Sequence, residues 1–377
     1  MSSTPVRLVA FVVLAGLLLT SGLADGALAN KTGDLAGGRL PDRAPDDPDQ
    51  RAGGPDEPRA LAALRRAAAA AQDMSYSGTQ FVAVWSEAGS TSELVDVTNI
   101  PGHGTVVRAR GAAADASEAF VTQGSWTVQA TGQSDTDRAG AGGLDVLAQS
   151  YAVRLAGRAT SAGRSAVVVE AARRDGSVAA RFWIDEKHAL LLRRELYAPG
   201  GVLQRASAFV DVSFEPGRFV SHLPPMLATD HGDLVPPAEY AALRAEGWTC
   251  CDQVLPSGFR LYDVRRSTPA STLHLSYSDG LSTASVFQQR GSLDASSLDG
   301  FSRRAGGGEV YVRYGLSSYA VWADNGMIYT VVCDTPQGLD AVLAAFPHKD
   351  PGRAGTGLAQ RLDRGMSRMV SWLNPFD

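Results

Sequence analysis

The fold is decided where a helical pattern in the sequence gives way to a strand pattern. Residues 59–72 read RALAALRRAAAAAQ, and Leu61, Leu64 and Ala68 share one face of the helix that this run predicts. Residues 76–85 read YSGTQFVAVW, a mixture of aromatic and β-branched side chains that is typical of a strand. The sequence therefore predicts one helix that leads directly into a β-sheet.

Further strand patterns follow the first one, and short turn signals separate them. Asp175-Gly176 and Pro199-Gly200-Gly201 are both hairpin signals. Strands that are joined by such short turns pair antiparallel. We therefore predict that residues 58–222 form one helix and a long antiparallel sheet, which curls into a half-open barrel with the helix over its concave side.

The first strand of the predicted barrel is apolar on both faces. Phe81, Ala83 and Trp85 share one face, while Val82 and Val84 lie on the other. This pattern favours a packed core together with a lined cavity, although a fully filled barrel core gives the same pattern. The candidate residues for the lining of an apolar cavity are Phe81, Trp85, Trp126, Phe182, Trp183 and Ile184.

A second unit follows a proline-rich stretch between residues 214 and 246. It contains the hairpin signals Asp279-Gly280 and Asn325-Gly326, and Thr335-Pro336 is typical of a helix N-terminus. We expect a smaller α+β domain of about five strands and one closing helix, so the whole chain is α+β. The predicted division is a signal peptide (1–29), an acidic flexible linker (30–57), the barrel domain (58–222), a second linker (223–246), the C-terminal domain (247–347) and a basic amphipathic tail (348–377).

The first residues have the pattern of an export signal. Arg7 precedes a mainly apolar run from Leu8 to Leu19, and Ala27-Leu28-Ala29 forms an A-x-A cleavage site. We predict cleavage after Ala29, and retention of the leader as a membrane anchor is the alternative. The protein is therefore expected in the periplasm or another extracytoplasmic space.

The composition excludes several classes of protein. Lys and Arg number 35 against 40 Asp and Glu, which gives a net charge of −5, so nucleic-acid binding is not expected. An apolar fraction of 44% is enough for a sizeable core. With three cysteines, the chain is neither a disulfide-stapled miniprotein nor a multi-zinc scaffold.

Export makes disulfide formation the expected state of the cysteines, which are Cys250, Cys251 and Cys333. A bridge between the adjacent Cys250 and Cys251 strains the local backbone. We therefore predict a disulfide between Cys250 and Cys333, with Cys251 as the second choice of partner, and one remaining thiol.

The sequence contains no motif with catalytic or metal-binding spacing. GxSxG, HExxH, Walker A and GxGxxG are absent, and no two of the six histidines are four residues apart. His274, Ser276 and Asp279 are the residue types of a hydrolase triad, but a hydrogen-bonded strand histidine is the simpler interpretation. We therefore predict no enzyme activity, no cofactor and no metal site.

The end of the chain has a basic amphipathic pattern. Apolar side chains recur at helical spacing between residues 357 and 373, and Arg361, Arg364 and Arg368 lie on another face. The three arginines are candidates for contact with a membrane surface or a partner. Packing of this helix against its own domain is the alternative.

Several stretches resemble the MucB/RseB family of periplasmic regulators of the sigma-E factor. The Ala-rich helix running into Tyr76-Ser77-Gly78-Thr79, and the hairpin pattern of residues 181–195, are similar to its N-terminal domain. Residues 255–259 and 274–287 are similar to its C-terminal domain. The resemblance extends over about residues 58–347.

The resemblance implies an N-terminal domain like the lipoprotein carriers LolA and LolB, followed by a smaller C-terminal domain. It also implies a non-enzymatic regulator that binds the extracytoplasmic part of a membrane-anchored anti-sigma factor. Such a regulator blocks proteolysis of the anti-sigma factor and keeps an envelope-stress sigma factor inactive, and a lipid or lipoprotein is the implied signal. The alternative is a lipid or lipoprotein carrier unconnected to an anti-sigma factor.

Overall fold

The computed structural model describes eight stretches of the chain, residues 56–86, 89–101, 104–109, 119–122, 139–215, 233–267, 272–304 and 309–348. The predicted leader, the acidic linker before residue 56 and the tail after residue 348 lie outside them. These stretches form two antiparallel sheets and four α-helices, which confirms the α+β class. None of the helices in the described part of the chain is long and apolar enough to cross a membrane.

The N-terminal unit contains two helices and nine strands. Their bounds are α1 (Glu57–Asp73), β1 (Tyr76–Ser86), β2 (Gly89–Ile100), β3 (Gly104–Ala109), β4 (Ala119–Thr122), α2 (Ala139–Ser150), β5 (Ala152–Ser161), β6 (Arg164–Ala172), β7 (Val178–Asp185), β8 (Leu191–Tyr197) and β9 (Leu203–Ser213). The strand order is β4-β3-β2-β1-β9-β8-β7-β6-β5. The pairing of β1 with β9 joins two meanders, and the described parts of the edge strands β4 and β5 do not pair with each other. The sheet is therefore open, which confirms the predicted half-open barrel.

Helix α1 covers the concave side of this sheet. Its buried face consists of small or apolar side chains, Ala60, Ala63, Leu64, Ala67 and Ala71. Alanine lets the helix approach the strands closely, so that the two elements share one core. The turn after the helix is tied to β2, because Asn99 Nδ2 donates to the carbonyl oxygen of Met74 over 2.8 Å. Thr105 of β3 donates in turn to Asn99 Oδ1 over 2.7 Å.

The C-terminal unit is a second sheet with helices packed on one face. Its elements are β10 (Asp233–Leu234), a 3₁₀ turn (Pro237–Glu239), α3 (Tyr240–Ala245), β11 (Arg260–Ser267), β12 (Thr272–Ser278), β13 (Thr283–Arg290), a second 3₁₀ turn (Ala295–Ser297), β14 (Ser302–Arg303), β15 (Tyr311–Arg313), β16 (Ser318–Asp324), β17 (Met327–Cys333) and α4 (Pro336–Ala345). The strand order is β10-β11-β12-β13-β17-β16-β15-β14. The sheet has eight strands where about five were expected, and three of them, β10, β14 and β15, have only two or three residues. Helix α4 begins as predicted, with Thr335 Oγ1 accepting from the Gly338 N–H over 3.2 Å.

The core of the C-terminal unit begins earlier in the chain than predicted. Val235 and Leu243 are 6% and 2% exposed and belong to the same cluster of buried side chains as Trp322. The proline-rich composition suggested a linker here, but Pro236 and Pro237 instead start the 3₁₀ turn before α3. Strand β10 also pairs with β11. The described end of the predicted linker is therefore part of the C-terminal domain.

Candidate functional site

The concave side of the N-terminal sheet is the candidate functional site. Two clusters of buried apolar side chains lie on it. The first is beneath α1 and α2 and includes Phe182 and Ile184 of β7. The second lies where α1 ends and includes Tyr76, Val82 and Phe209. An apolar concave surface at the mouth of a barrel is a common location for ligand binding.

A small cavity lies between the end of α1 and strands β1, β2, β8 and β9. Its volume is about 20 Å³, which is room for about one water molecule. Gln80 lines it, is only 7% exposed, and its Oε1 has no hydrogen-bond partner among the described residues. Burial raises the pKa of Tyr76 to about 12, although a hydrogen bond with Thr105 acts in the opposite direction. The remaining lining residues are Ala71, Val97, Leu190, Leu191, Leu192, Arg193, Ser207 and Phe209.

The predicted lining residues of β7 lie on two different faces. Phe182 and Ile184 are on the concave face in the cluster beneath α1. Trp183 packs in a different cluster with Val168, and the guanidinium of Arg193 lies 4.7 Å from the centre of its ring. Successive strand residues point to opposite faces of a sheet. Trp183 is therefore on the convex side, away from the predicted lining.

The predicted lining residues of β1 also need correction. Gln80 borders the cavity and Val82 packs in the second concave cluster. Phe81 and Trp85 alternate with these residues along the strand, so they lie on the convex face. The strand is apolar on both sides, and its sequence pattern therefore could not identify the face that looks inward. Trp126 lies outside the described residues.

Loops of the C-terminal domain close the concave side. Leu281, in the turn between β12 and β13, is 4% exposed and packs in the first concave cluster together with Phe182. Leu316, between β15 and β16, packs against the second cluster. Gly280 lies so close to α2 that a Cβ atom on it would be 2.5 Å from the Leu147 Cα. The two domains therefore share the apolar surface that a ligand of the barrel would need.

Two arginines of the concave face contact the same loops. Arg194 of β8 and Arg205 of β9 are 4% and 3% exposed. Arg194 Nη2 donates to the carbonyl oxygen of Leu281. Arg205 Nη1 donates to the carbonyl oxygen of Leu316 and, over 2.9 Å, to that of Asp334. These two arginines of the N-terminal sheet are therefore both bound by backbone acceptors of the C-terminal domain.

The charges at this contact depend on one another. Burial lowers the pKa of Arg205 to about 10 and also lowers that of Arg194, while Asp334 opposes both shifts. Burial raises the pKa of Asp334, and the two arginines oppose that shift. The Asp334 carboxylate also accepts from the Thr283 N–H over 3.2 Å. The carboxylate of one domain thus stabilises the buried cations of the other, provided that the domains remain in contact.

A second polar contact joins the domains next to Gly280. The Tyr151 hydroxyl donates to Asp279 Oδ2 over 2.8 Å. The other oxygen of Asp279 accepts from the backbone N–H groups of Leu281 and Ser282 over 2.8 and 2.7 Å, which fixes the loop. The sequence identified Asp279-Gly280 as a turn but contained no signal for its partner, because that partner lies on the other domain.

The convex face carries a ladder of opposite charges. In the strand register, Arg154 lies opposite Glu170, Glu170 opposite Arg181, and Arg181 opposite Glu195. Glu170 is 3% exposed, binds Arg154 through Oε1 and accepts from Arg181 Nε over 3.0 Å through Oε2. Opposite charges on facing strand positions stabilise the pairing of the strands. The Glu170 carboxylate is therefore occupied in holding strands β5, β6 and β7 together.

The cysteines pair differently from the prediction. Cys250 and Cys251 form the disulfide, and Cys333 at the end of β17 is a free thiol. The predicted bridge from Cys333 to Cys250, and its alternative to Cys251, are therefore absent. Neighbours in sequence meet without closing a long loop, whereas Cys333 is only 1% exposed in the core. Burial raises the pKa of the Cys333 thiol well above its usual value.

The residues of the hydrolase alternative do not form a triad. His274 Nε2 lies 3.3 Å from Ser276 Oγ, and the His274 ring stacks on Phe287 with 4.2 Å between ring centres. Asp279 instead binds Tyr151. Within the described stretches, no group of three His, Cys, Asp or Glu residues is arranged to hold a metal ion. The geometry agrees with a strand histidine held by stacking and a hydrogen bond.

Several solved structures and one family model are similar to this chain. A comparison with curated proteins finds no match. A crystal structure of MucB in complex with the periplasmic part of MucA is 20% identical, covers 78% of this chain and 98% of that chain, and has a TM-score of 0.38. The Pseudomonas aeruginosa MucA/MucB complex is 22% identical, covers 78% of this chain and 99% of that chain, and has a TM-score of 0.37. A LolA superfamily protein from Nitrosomonas europaea is 10% identical, covers 73% of this chain and 90% of that chain, and has a TM-score of 0.19.

The family comparison concerns the second half of the N-terminal unit. The model of the MucB/RseB N-terminal domain matches residues 115–230. The matched range includes all strands from β4 to β9 and ends before β10. The family resemblance of the sequence is thereby confirmed, and residues 115–230 are similar to the MucB/RseB N-terminal domain.

Proposed function

We propose that this protein is an exported, non-enzymatic regulator that binds the extracytoplasmic part of a membrane-anchored anti-sigma factor. The observation that carries the proposal is the match of residues 115–230 to the MucB/RseB N-terminal domain. One of the similar solved structures is MucB in complex with the periplasmic part of MucA. Binding protects the anti-sigma factor from proteolysis and so keeps an envelope-stress sigma factor inactive.

The geometry of the described residues supports binding as the activity. The concave face is apolar and meets a second domain, an arrangement that creates a composite surface at the domain boundary. The Glu170 carboxylate of the convex face is engaged in cross-strand ion pairs with Arg154 and Arg181. A two-domain chain of this kind changes its binding surface when the domains move relative to each other.

The experiment is a direct titration of the mature protein with the extracytoplasmic segments of the single-span anti-sigma factors from the same organism. We expect one of them to bind with a dissociation constant on the order of 1 µM or tighter, as a specific interface does. A scrambled segment of the same composition is the control for binding through charge alone. The proposal is abandoned if none of the authentic segments binds better than its scrambled version.

The effect on proteolysis is a separate measurement on the same pair. A protease that cleaves the free anti-sigma segment is added with and without the regulator. We expect the cleavage rate to fall in proportion to the bound fraction, because a bound segment is withheld from the protease. If the segment binds tightly but is cleaved no more slowly, the binding proposal stands and the proposed protection from proteolysis is wrong.

The second candidate function is a carrier or sensor of lipids or lipoproteins. The observation that favours it is the apolar cavity beside Gln80, whose buried Oε1 has no partner in the described part of the chain. Such an acceptor suits a ligand with one N–H or O–H group and an apolar body. Native mass spectrometry of the protein purified from its own envelope tests for retained acyl chains, and a protein that carries no adduct contradicts this candidate.

The basic tail provides a further proposed contact. Arg361, Arg364 and Arg368 lie outside the described residues and are proposed to bind an anionic membrane surface or a partner. Co-sedimentation of the full-length protein with vesicles of anionic and of neutral lipid measures this contact. We expect replacement of the three arginines by glutamine to abolish any preference for the anionic vesicles, and an unchanged preference would contradict the assignment.

A further inference from the structure

We propose that the C-terminal domain is a reversible plug of the N-terminal concave face, latched by Arg194 and Arg205, and that an apolar ligand enters only when the plug is out. The inference goes beyond the proposed function and does not require an anti-sigma factor. It concerns the face defined by the two concave clusters and the loops that carry Leu281, Leu316 and Asp334.

The first argument is one of space. The cavity that remains on the concave side holds about 20 Å³, which is room for about one water molecule. Leu281 occupies apolar surface in the first concave cluster, and Leu316 packs against the second. An acyl chain or another apolar ligand is many times larger than this cavity. Among the described residues, the cavity beside Gln80 is therefore too small for a ligand of that size while the two leucines stay in place.

The second argument concerns the latch. Arg194 and Arg205 are almost fully buried, and across the domain boundary they donate to carbonyl oxygens of Leu281, Leu316 and Asp334. A buried cation needs acceptors or an opposite charge close by. In the closed form the C-terminal domain provides them, and in an open form water does. The latch thus consists of polar contacts that water can replace when the domains separate.

The third argument is that each domain has its own core. The cluster of the C-terminal unit contains residues from Val235 to Phe346 and none from the N-terminal unit. The two concave clusters take only Leu281 and Leu316 from the C-terminal domain. Separation therefore removes few apolar contacts from either core, as in the transient interfaces that connect mobile domains. We expect both domains to stay folded when the plug is out.

The test introduces a wedge at Gly280. A Cβ atom at this position would be 2.5 Å from the backbone nitrogen and Cα of Leu147, so Gly280→Ala forces the loop away from α2. The open fraction is expected to rise about tenfold to a hundredfold, as the usual penalties for overpacking predict. The measurements are the radius of gyration from solution X-ray scattering, and the fluorescence of the apolar probe N-phenyl-1-naphthylamine added to the full-length protein. Both are expected to increase relative to the unmodified protein.

Gly326→Ala is the matched control. Gly280 and Gly326 both have a positive φ, +92° and +75°, and both lie in hairpin turns of the same sheet. The two replacements therefore share the strain of a left-handed alanine. A Cβ on Gly326 meets nothing within 4 Å, whereas one on Gly280 meets α2. Equal opening by both variants, or no opening by Gly280→Ala in a folded protein, overturns the proposal.

A second pair of variants tests the latch without a steric wedge. Arg205→Met removes the donors to Leu316 and Asp334, and Arg181→Met removes an arginine of the convex ladder that binds Glu170. We expect probe binding to increase only for Arg205→Met. Probe binding that follows the loss of thermal stability in both variants alike would identify simple destabilisation and refute the latch.

Discussion

Gln288 of β13 ties the start of the C-terminal core to its sheet, and replacing it with leucine tests how much that tie contributes. The side chain is 0% exposed. Its Nε2 donates to the Thr249 carbonyl oxygen over 2.6 Å, and its Oε1 accepts from the Thr249 N–H over 3.0 Å. The Thr249 hydroxyl is also 2.6 Å from the Tyr329 hydroxyl. The Gln288 side-chain amide thus pairs with both backbone groups of Thr249, as the backbone of a neighbouring strand would.

The magnitude follows from these two hydrogen bonds. Each contributes about 1 kcal/mol, and a backbone group left buried without a partner costs about 1–3 kcal/mol. Leucine has a similar size, so Gln288→Leu creates little empty space. We therefore expect the C-terminal domain to lose about 2–4 kcal/mol of stability.

Hydrogen exchange is the suitable assay because a two-domain protein has no single free energy of unfolding. Amides such as that of Val331, in the centre of β17, exchange when the C-terminal domain unfolds. The expected loss corresponds to exchange that is about 30 to 900 times faster. Gln289→Leu is the control, since this neighbouring side chain is half-buried and lies on the other face of β13. If Gln288→Leu exchanges no faster than Gln289→Leu, the assigned role of Gln288 is wrong.

Three further predictions concern the N-terminal domain. Gly78→Ala places a Cβ 2.2 Å from the Asp211 carbonyl oxygen, so we expect the pairing of β1 with β9 to weaken by about 1–3 kcal/mol, measured as a lower melting temperature. Leu64→Ala removes a side chain of α1 that is 2% exposed, and thermal unfolding should show a loss of about 2–5 kcal/mol. Burial raises the pKa of Asp185, but hydrogen bonds from Arg164 and two backbone N–H groups outweigh it and leave the pKa below its usual value. This carboxylate therefore stabilises the fold above about pH 4 and stops doing so as the pH falls through its folded pKa, so the melting temperatures of Arg164→Met and the unmodified protein should converge in acid.

The local elements of the fold could be predicted because their signals lie within a few residues. The alanine-rich run became α1, and Thr335 caps α4 at the predicted position. The Asn325-Gly326 turn connects β16 to β17 with the pair Asp324↔Met327 at its base. Each of these signals acts through the backbone conformation of the few residues around it. Such positions are therefore readable without knowledge of the tertiary structure.

The inward face of the barrel was not readable in the same way. Strand β1 carries apolar side chains on both sides, and the cavity lies on the side of Gln80 rather than that of Phe81. Register shifts add to the difficulty, for example between Thr79 and Gln80 in the pairing with β9. An irregularity of one residue exchanges the two faces of a strand. Alternation in sequence consequently defines two faces but does not identify which of them meets α1.

Arg193 and Arg194 illustrate why the domain contact lay beyond sequence reasoning. They are adjacent and of the same type, yet Arg193 binds Glu195 two residues away, while Arg194 binds the carbonyl oxygen of Leu281 in another domain. The first interaction is local and exposed arginines commonly form it. The second requires a partner 87 residues distant, and Arg194 is 4% exposed where it meets the C-terminal domain. Only the tertiary structure therefore distinguishes the buried Arg194, which joins the two domains, from its neighbour Arg193.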